Sequence, residues 1–156
     1  MILLDADVFL VDVRYLDDPR GEPNRQALDR LRRDGQPLGV TTQVMLEVVG
    51  SLSFRTPLAD IPLLPGLIRD RYSLTVVPDP LVIRTYSGCS IAEVLSEIGR
   101  KMSLGDAVMA AQIRLFAPSA TTLLTWNAKH FRGKIAVPVL TPAEWLLQHT
   151  PAGPTP

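Results

Sequence analysis

Several polar residues in this sequence stand where an acid or amide is conspicuous, and their chemistry is that of oxygen donors. In the opening MILLDADVFL, Asp5 closes a run of four apolar residues and Asp7 follows two positions later. The run 1–4 is apolar on both faces and reads as a short, fully buried strand. In open parallel sheets, ligands bind in the crevice outside the carboxyl ends of the strands, so an acid there is a candidate site residue. Asp5 or Asp7 can equally cap the next helix, and the stretch alone leaves both readings open. Glu47, in TTQVMLEVVGSL, is flanked by Leu46 and Val48 with further apolar residues a turn away. An acid so enclosed is rarely buried unless it is paired or bound to a metal. The alternative is the solvent stripe of an amphipathic helix, but Gln43 and Gly50 make a poor polar stripe, which favours the functional reading.

Asp106 has a stronger competitor. Ser103-Leu104-Gly105-Asp106 resembles a capping box, in which Ser103 caps the helix and the acid three residues on folds back to it. Glu or Gln is the usual partner, and the shorter Asp reaches back less well. A carboxylate in the first turn is also stabilised in its ionised, metal-binding form by the helix dipole, so cap and chemistry are compatible. Thr141-Pro142-Ala143-Glu144 fits the capping box in full, and Glu144 is assigned no function. Asn127, in LLTWNAKHF, follows a strand as Asp5 does and can reach the same end of the sheet; turn or helix capping is the commoner use of such an Asn. Thr125 can bond a carboxylate or simply finish the strand. His130 is a weak signal, and Trp126 and Trp145 read as packing residues.

The elements that must position these groups alternate along the chain. PNRQALDRLRRDG carries Ala27, Leu28 and Leu31 on one face and predicts a surface helix ending at Gly35. PLGVTT predicts a strand, and QVMLEVVGSL a buried helix capped by Thr41 or Thr42. TPLADIPLLPGLIRDRY, broken by three prolines, predicts short kinked helices. SLTVVPD predicts a strand closed by Asp79, with Pro80 at the first position of a following helix. IAEVLSEIG and SLGDAVMAAQIRLF predict two helices, TTLLTWN and KIAVPVL two strands, and TPAEWLLQ a last helix. Strands alternating with helices imply an α/β domain with a mostly parallel sheet covered on both faces. One domain over 1–148 is expected, followed by a proline-rich, disordered tail over 149–156.

Composition removes several classes of function. The 156 residues suffice for one core without metal or disulfide staples. No stretch approaches the roughly 18 uninterrupted apolar residues of a membrane span, and the leading apolar run meets Asp5 too soon for a secretory signal. The single cysteine, Cys89, has no internal partner, so a reducing, cytoplasmic location is the expectation. Sixteen basic and sixteen acidic residues balance. That excludes nucleic-acid binding by bulk positive charge, and any such chemistry needs a local device such as metal ions held by carboxylates.

Taken together, MILLDADVFL, TTQVMLEVVGSL, SLGDAVMAAQ and LLTWNAKHF resemble, in order and on a matching α/β pattern, the PIN-domain family, and within it the VapC-type ribonuclease toxins. The resemblance covers all of the chain except the tail. It implies a PIN-like three-layer sandwich in which Asp5, Glu47 and Asp106 gather at the carboxyl end of the sheet and bind Mg²⁺ or Mn²⁺. Asn127 falls where the family carries a fourth acid or an Asn, which makes it a catalytic candidate, with Asp7 and Thr125 as possible auxiliaries. With three of the usual four acids, the site implied is one that holds one metal tightly and completes a second with substrate, Asp7 partly restoring the charge. The activity implied is metal-dependent endoribonuclease, as the toxin of a VapBC-type toxin–antitoxin pair. The partners implied are RNA, an antitoxin protein and a second copy of the chain in a homodimer.

Two rivals remain at this point. LLDADVFLVD also resembles the strand-end Asp-x-Asp of haloacid dehalogenase-type phosphatases, with Asp5 as covalent nucleophile and Asp7 as general acid; the downstream lysine and paired-acid loop of that mechanism are not evident. The other rival is a non-catalytic PIN-like binding domain, supported by the neutral net charge and Asn127. Three acids kept in apolar settings count against it.

Overall fold

The computed structural model describes residues 1–15, 17–79 and 87–149. Five strands form one sheet: β1 (Ile2–Leu4), β2 (Leu38–Thr41), β3 (Leu74–Val77), β4 (Thr122–Leu124) and β5 (Val139–Leu140). Their order is β3-β2-β1-β4-β5 and every pairing is parallel, with Leu4 opposite Leu124 where β1 meets β4. The helices are α1 (Ala6–Val13), α2 (Gly21–Arg33), α3 (Thr42–Ser53), α4 (Leu64–Tyr72), α5 (Ile91–Ile98), α6 (Leu104–Phe116) and α7 (Pro142–His149). The architecture is the PIN-like α/β sandwich, and the expectation of a mostly parallel sheet is met by one that is parallel throughout.

Sequence chemistry accounts for the elements that matter to the site. Every residue of β1 is buried, as its uninterrupted apolar run requires. The Asp5 carboxylate accepts the Ala6 N–H at 2.7 Å and caps α1, so the capping reading of Asp5 is correct. Thr41 caps α3 through the Val44 N–H, and Ser103 caps α6 through the Asp106 N–H. α2 buries Ala27, Leu28 and Leu31 as expected. It begins at Gly21, two residues before Pro23, and the chain turns beyond it at Gly35, whose φ of +62° favours glycine.

Three expectations need correction or fall outside the description. KIAVPVL is strand only at Val139 and Leu140, because residues 132–137 turn before Phe131, Val137 and Trp145 close the core. His149 is not tail: it ends α7, stacked on Trp145 with ring centroids 4.3 Å apart. The remaining tail and the Pro80 end of the cap after β3 lie outside the described residues. No described helix is long and apolar enough to cross a membrane.

The strand order reverses at β1: β2 and β3 extend the sheet to one side, β4 and β5 to the other. That reversal leaves a crevice outside the carboxyl ends of β1 and β4, the position at which open α/β sheets bind ligands.

Candidate active site

β1 delivers Asp5 to that crevice and β4 delivers residues 125–127, and backbone pairing fixes both, because the Asp5 N–H donates to the Leu124 carbonyl at 3.0 Å. Thr125 is fully buried and its hydroxyl donates to Asp5 Oδ2 at 2.7 Å. Of the two roles open to Thr125, it takes the carboxylate-bonding one. Asp7, one position into the first turn of α1, accepts the Trp126 N–H at 3.1 Å and the Asn127 N–H at 3.0 Å. The Asn127 N–H also reaches Thr125 Oγ1 at 3.0 Å. The chain thus brings Asp5, Asp7, Thr125 and Asn127 together across roughly 120 residues of sequence. Asn127 enters by its main chain, occupying the cap position of the short 3-10 turn Ala128–His130 without a side-chain cap bond.

Glu47 and Asp106 approach from α3 and α6, which pack against each other. Glu47 is exposed, as are Leu46 and Gly50 beside it. The expectation of an acid enclosed by apolar neighbours is therefore wrong in its reason: sequence neighbours along a helix point around it, and Val44, Met45 and Val48 face the core while Leu46 and Glu47 do not. What links Glu47 to the site is electrostatic. Partial burial of its carboxyl, then the charges of Asp106 and Asp7, raise its pKa above the usual range. Asp106 is half-buried, and only one half of its capping box is formed; its carboxylate lies instead 3.5 Å from His130 Nδ1.

The most perturbed member is Asp5. Burial, then the Asp7 charge, with a smaller contribution from Glu47, raises it to about 7, against the lowering effect of its bonds to Thr125 and Ala6. Asp7 is also raised, by burial, although the N–H groups of Trp126 and Asn127, the Thr125 hydroxyl and the Arg20 charge all oppose this. Carboxylates whose charges raise a neighbour's pKa attract positive charge, of which Arg20 supplies a part at Asp7.

Carboxylate oxygens suit hard divalent cations. As placed, no three His, Cys, Asp or Glu side chains among the described residues stand close enough to hold an ion. The donors fit Mg²⁺ or Mn²⁺ in kind; Glu47 is exposed, and Asp106 is half-buried beside His130.

Two residues of the site's frame carried no sequence signal. Asn24, fully buried on α2, donates to the Val8 carbonyl at 2.9 Å and accepts the Trp126 indole N–H at 2.9 Å, tying α1 and α2 to the turn that holds Asp7. Gln112, fully buried on α6, accepts the Gln43 N–H at 3.0 Å and so joins α6 to the start of α3. Both read in sequence as polar helix residues, because all the partners that explain them are distant in the chain.

No family model matches this sequence, and no curated protein matches it. Solved structures do. The chain is similar in fold to a chain of VapBC2 from Rickettsia felis, in the crystal structure of that complex bound to a DNA fragment from its promoter: TM-score 0.58, 16% identity, 90% of this chain and 99% of that one. Against FitAcB from Neisseria gonorrhoeae the TM-score is 0.54 at 17% identity, covering 91% and 98%. Against VapBC-1 from nontypeable Haemophilus influenzae it is 0.55 at 17% identity, covering 91% and 98%. At such identities the likeness speaks for the fold, which is the one that the four ordered motifs imply.

Proposed function

We propose that this protein is a Mg²⁺- or Mn²⁺-dependent endoribonuclease and the toxin of a VapBC-type toxin–antitoxin pair. The observation that carries the reading is the meeting of four carboxylates, Asp5, Asp7, Glu47 and Asp106, at the carboxyl ends of β1 and β4, where burial and like charge raise Asp5 and Glu47, and burial raises Asp7 although Arg20 offsets part of its charge. Asp5, Glu47 and Asp106 would hold the metal, with Asp7 adding charge. When bound, such a metal stabilises the charge of a phosphodiester undergoing in-line displacement and brings a water to the nucleophilic form near neutral pH.

The rest is the work of this chain. Thr125 and the Ala6 N–H fix the two oxygens of Asp5, so that its orientation is set before any ligand arrives. The N–H groups of Trp126 and Asn127 hold Asp7 across the crevice. Lys129 and His130, exposed at the same strand end, can meet the phosphates of a single strand. The phosphatase alternative finds less support, because no lysine is among the described partners of Asp5.

Two apolar surfaces support the proposed partners. Phe9, Val13, Val48, Leu52 and Ile68 line a groove of about 150 Å³ between α1, α3 and α4, with the exposed Leu67 at its edge; a helical antitoxin segment would cover it. Ile91 and Leu95 stand exposed one turn apart on α5, a face suited to a second copy of the chain. A cytoplasmic location goes with this reading.

The test is thermal unfolding with and without millimolar Mn²⁺, run beside cleavage of single-stranded RNA, for the parent and Asp106→Asn. A ligand that binds only the folded state raises its apparent stability. The parent should be stabilised by Mn²⁺ and cleave RNA; the variant should fold equally well and do neither. Full cleavage by Asp106→Asn, or no metal response in either protein together with no cleavage, refutes the assignment.

A further inference from the structure

The even balance of charge over the whole chain conceals a segregation along it. Between Ile98 and Ala143 the one acid is Asp106, against Arg100, Lys101, Arg114, Lys129, Arg132 and Lys134. All the lysines of the protein lie in this stretch. Its arginines are already paired: Arg100 and Arg114 flank the buried Glu97 of α5, and Arg132 meets Glu144 on α7. On α2, too, Arg25, Arg30 and Arg32 each pair with an acid of that helix or its cap. No lysine forms an ion pair among the described residues.

Folding joins the two lysine-bearing turns and sets them beside the acid cluster. Lys134 Nζ donates to the Lys101 carbonyl at 2.8 Å, and Arg100 Nη1 donates to the Lys134 carbonyl at 2.5 Å. Lys101 stands just before Ser103, the cap of the helix that carries Asp106, and Lys129 just beyond Asn127. His130, next to Lys129, places Nδ1 3.5 Å from Asp106 Oδ2 and so ties the second turn to the start of α6. Lys101 and Lys129 are exposed and Lys134 is partly so. Lys101 holds a φ of +63°, a conformation that glycine adopts freely and that a side chain strains. A long cationic side chain is thus kept where the backbone favours none.

The other helices that bring acids to the cluster, α1 and α3, hold no lysine or arginine. Arg20, whose charge reaches Asp7, is bound by both carboxylate oxygens of Asp18, at 2.9 and 2.6 Å. Unpaired positive charge therefore borders the acids at the lysine turns. An ammonium is a compact charge with three donors, and Lys134 uses one of them on the Lys101 carbonyl. Charges on separate turns suit successive phosphates of one polymer better than a single small anion.

We propose that Lys101, Lys129 and Lys134 are positioning residues that hold about three phosphates of a single-stranded RNA, one per ammonium, and lead it to the acids along the α6 side of the crevice. The inference deepens the nuclease reading and rests on it for RNA as the polymer; the hold of these lysines on a nucleic-acid backbone does not depend on cleavage.

The experiment is fluorescence anisotropy of the intact chain with a short labelled single-stranded RNA, in EDTA so that nothing is cleaved, between about 50 and 200 mM KCl. The parent should bind with a Kd below about 100 μM at the lower salt, and log affinity should fall against log salt with a slope of about −2, as about three phosphates require. Lys101→Gln/Lys134→Gln keeps N–H groups at both positions and removes the charges; it should weaken binding at least about tenfold at low salt and reduce the slope to about −0.7. Lys101→Arg/Lys134→Arg should restore binding, which separates lost charge from lost fold. Arg25→Gln/Arg33→Gln, which removes as much charge from α2, should change affinity less than about twofold. With Mn²⁺ present, Lys101→Gln/Lys134→Gln should raise KM for RNA cleavage more than it lowers kcat. Lysine-dependent binding by a parent that cleaves nothing removes the nuclease reading and leaves this one; cleavage with a KM indifferent to the lysines does the reverse. No binding in EDTA, an equal loss in the α2 variant, or displacement of RNA by poly-glutamate as readily as by unlabelled RNA overturns the proposal, the last in favour of an acidic protein partner.

Discussion

Asp5 and Glu97 are both nearly inaccessible, at 8% and 2% exposed, yet the chain surrounds them in opposite ways. Glu97 has an arginine on either side, Arg114 from the next helix and Arg100 from its own turn. Asp5 has Thr125 and the Ala6 N–H for hydrogen bonds, and its charged neighbours are Asp7 and Glu47. Where burial of a carboxylate serves only the fold, a protein supplies the opposite charge itself, since an unpaired buried ion is among the most costly things a core can hold. At Asp5 it supplies more of the same charge. On the proposed metal-binding reading, a site built that way gains stability from the cation that it would receive from outside.

That contrast can be broken or sharpened by measurement. The largest effect expected is on chemistry: Asp106→Asn should lower RNA cleavage by about a hundredfold or more, a loss of about 3 kcal/mol of transition-state stabilisation, while metal-free unfolding shifts by less than about 0.5 kcal/mol. A comparable fall in both would mean that Asp106 is a structural cap and not a site acid.

Next, Asp5→Asn should stabilise the metal-free protein at pH 8 by about 1–3 kcal/mol, because it removes a carboxylate held near like charges, and it should abolish stabilisation by Mn²⁺. The contrasting Glu97→Ala should destabilise by about 2 kcal/mol at the same pH, since it strands two partly exposed arginines and opens a cavity. Chemical denaturation of the two variants side by side decides the matter; changes of the same sign would remove the distinction drawn between the two acids.

Thr125→Val should cost about 1–2 kcal/mol, the value of a buried hydroxyl bonded to a charged group, and weaken Mn²⁺ binding because Asp5 is no longer oriented. Loss of stability with unchanged metal affinity would show that Thr125 only ends the strand.

The smallest effect is in the pH profile. Asp5 titrates near 4 when unfolded and at about 7 when folded. Between those values the folded state binds more protons, so metal-free stability from this group is greatest below pH 4, falls as pH rises toward 7, and is level above. Asp5→Asn should flatten that slope. A metal-free protein that instead gains stability from pH 5 to 7, in parent and variant alike, would contradict the folded pKa of Asp5.

Much of this was legible in the chain. The buried β1 run, the caps Thr41 and Ser103, the Thr141–Glu144 capping box and the alternation of strand and helix follow from side-chain shape, apolar spacing and local hydrogen bonding, which act within a few residues and so are written in sequence. They sufficed for the α/β class and for naming Asp5, Glu47, Asp106 and Asn127 as candidates. The strand KIAVPVL was misread because apolar composition alone does not say which residues pair; only Val139 and Leu140 find β4. What the tertiary structure decided is everything that depends on long-range closure. The reversal of strand order at β1 sets Asp5 against Thr125, the packing of α3 on α6 turns an exposed Glu47 into a neighbour of Asp106, and Asn24 reaches Trp126 across the α2 interface. The raised pKa of Asp5 belongs to the same class, since burial and like charge exist only once distant segments have met.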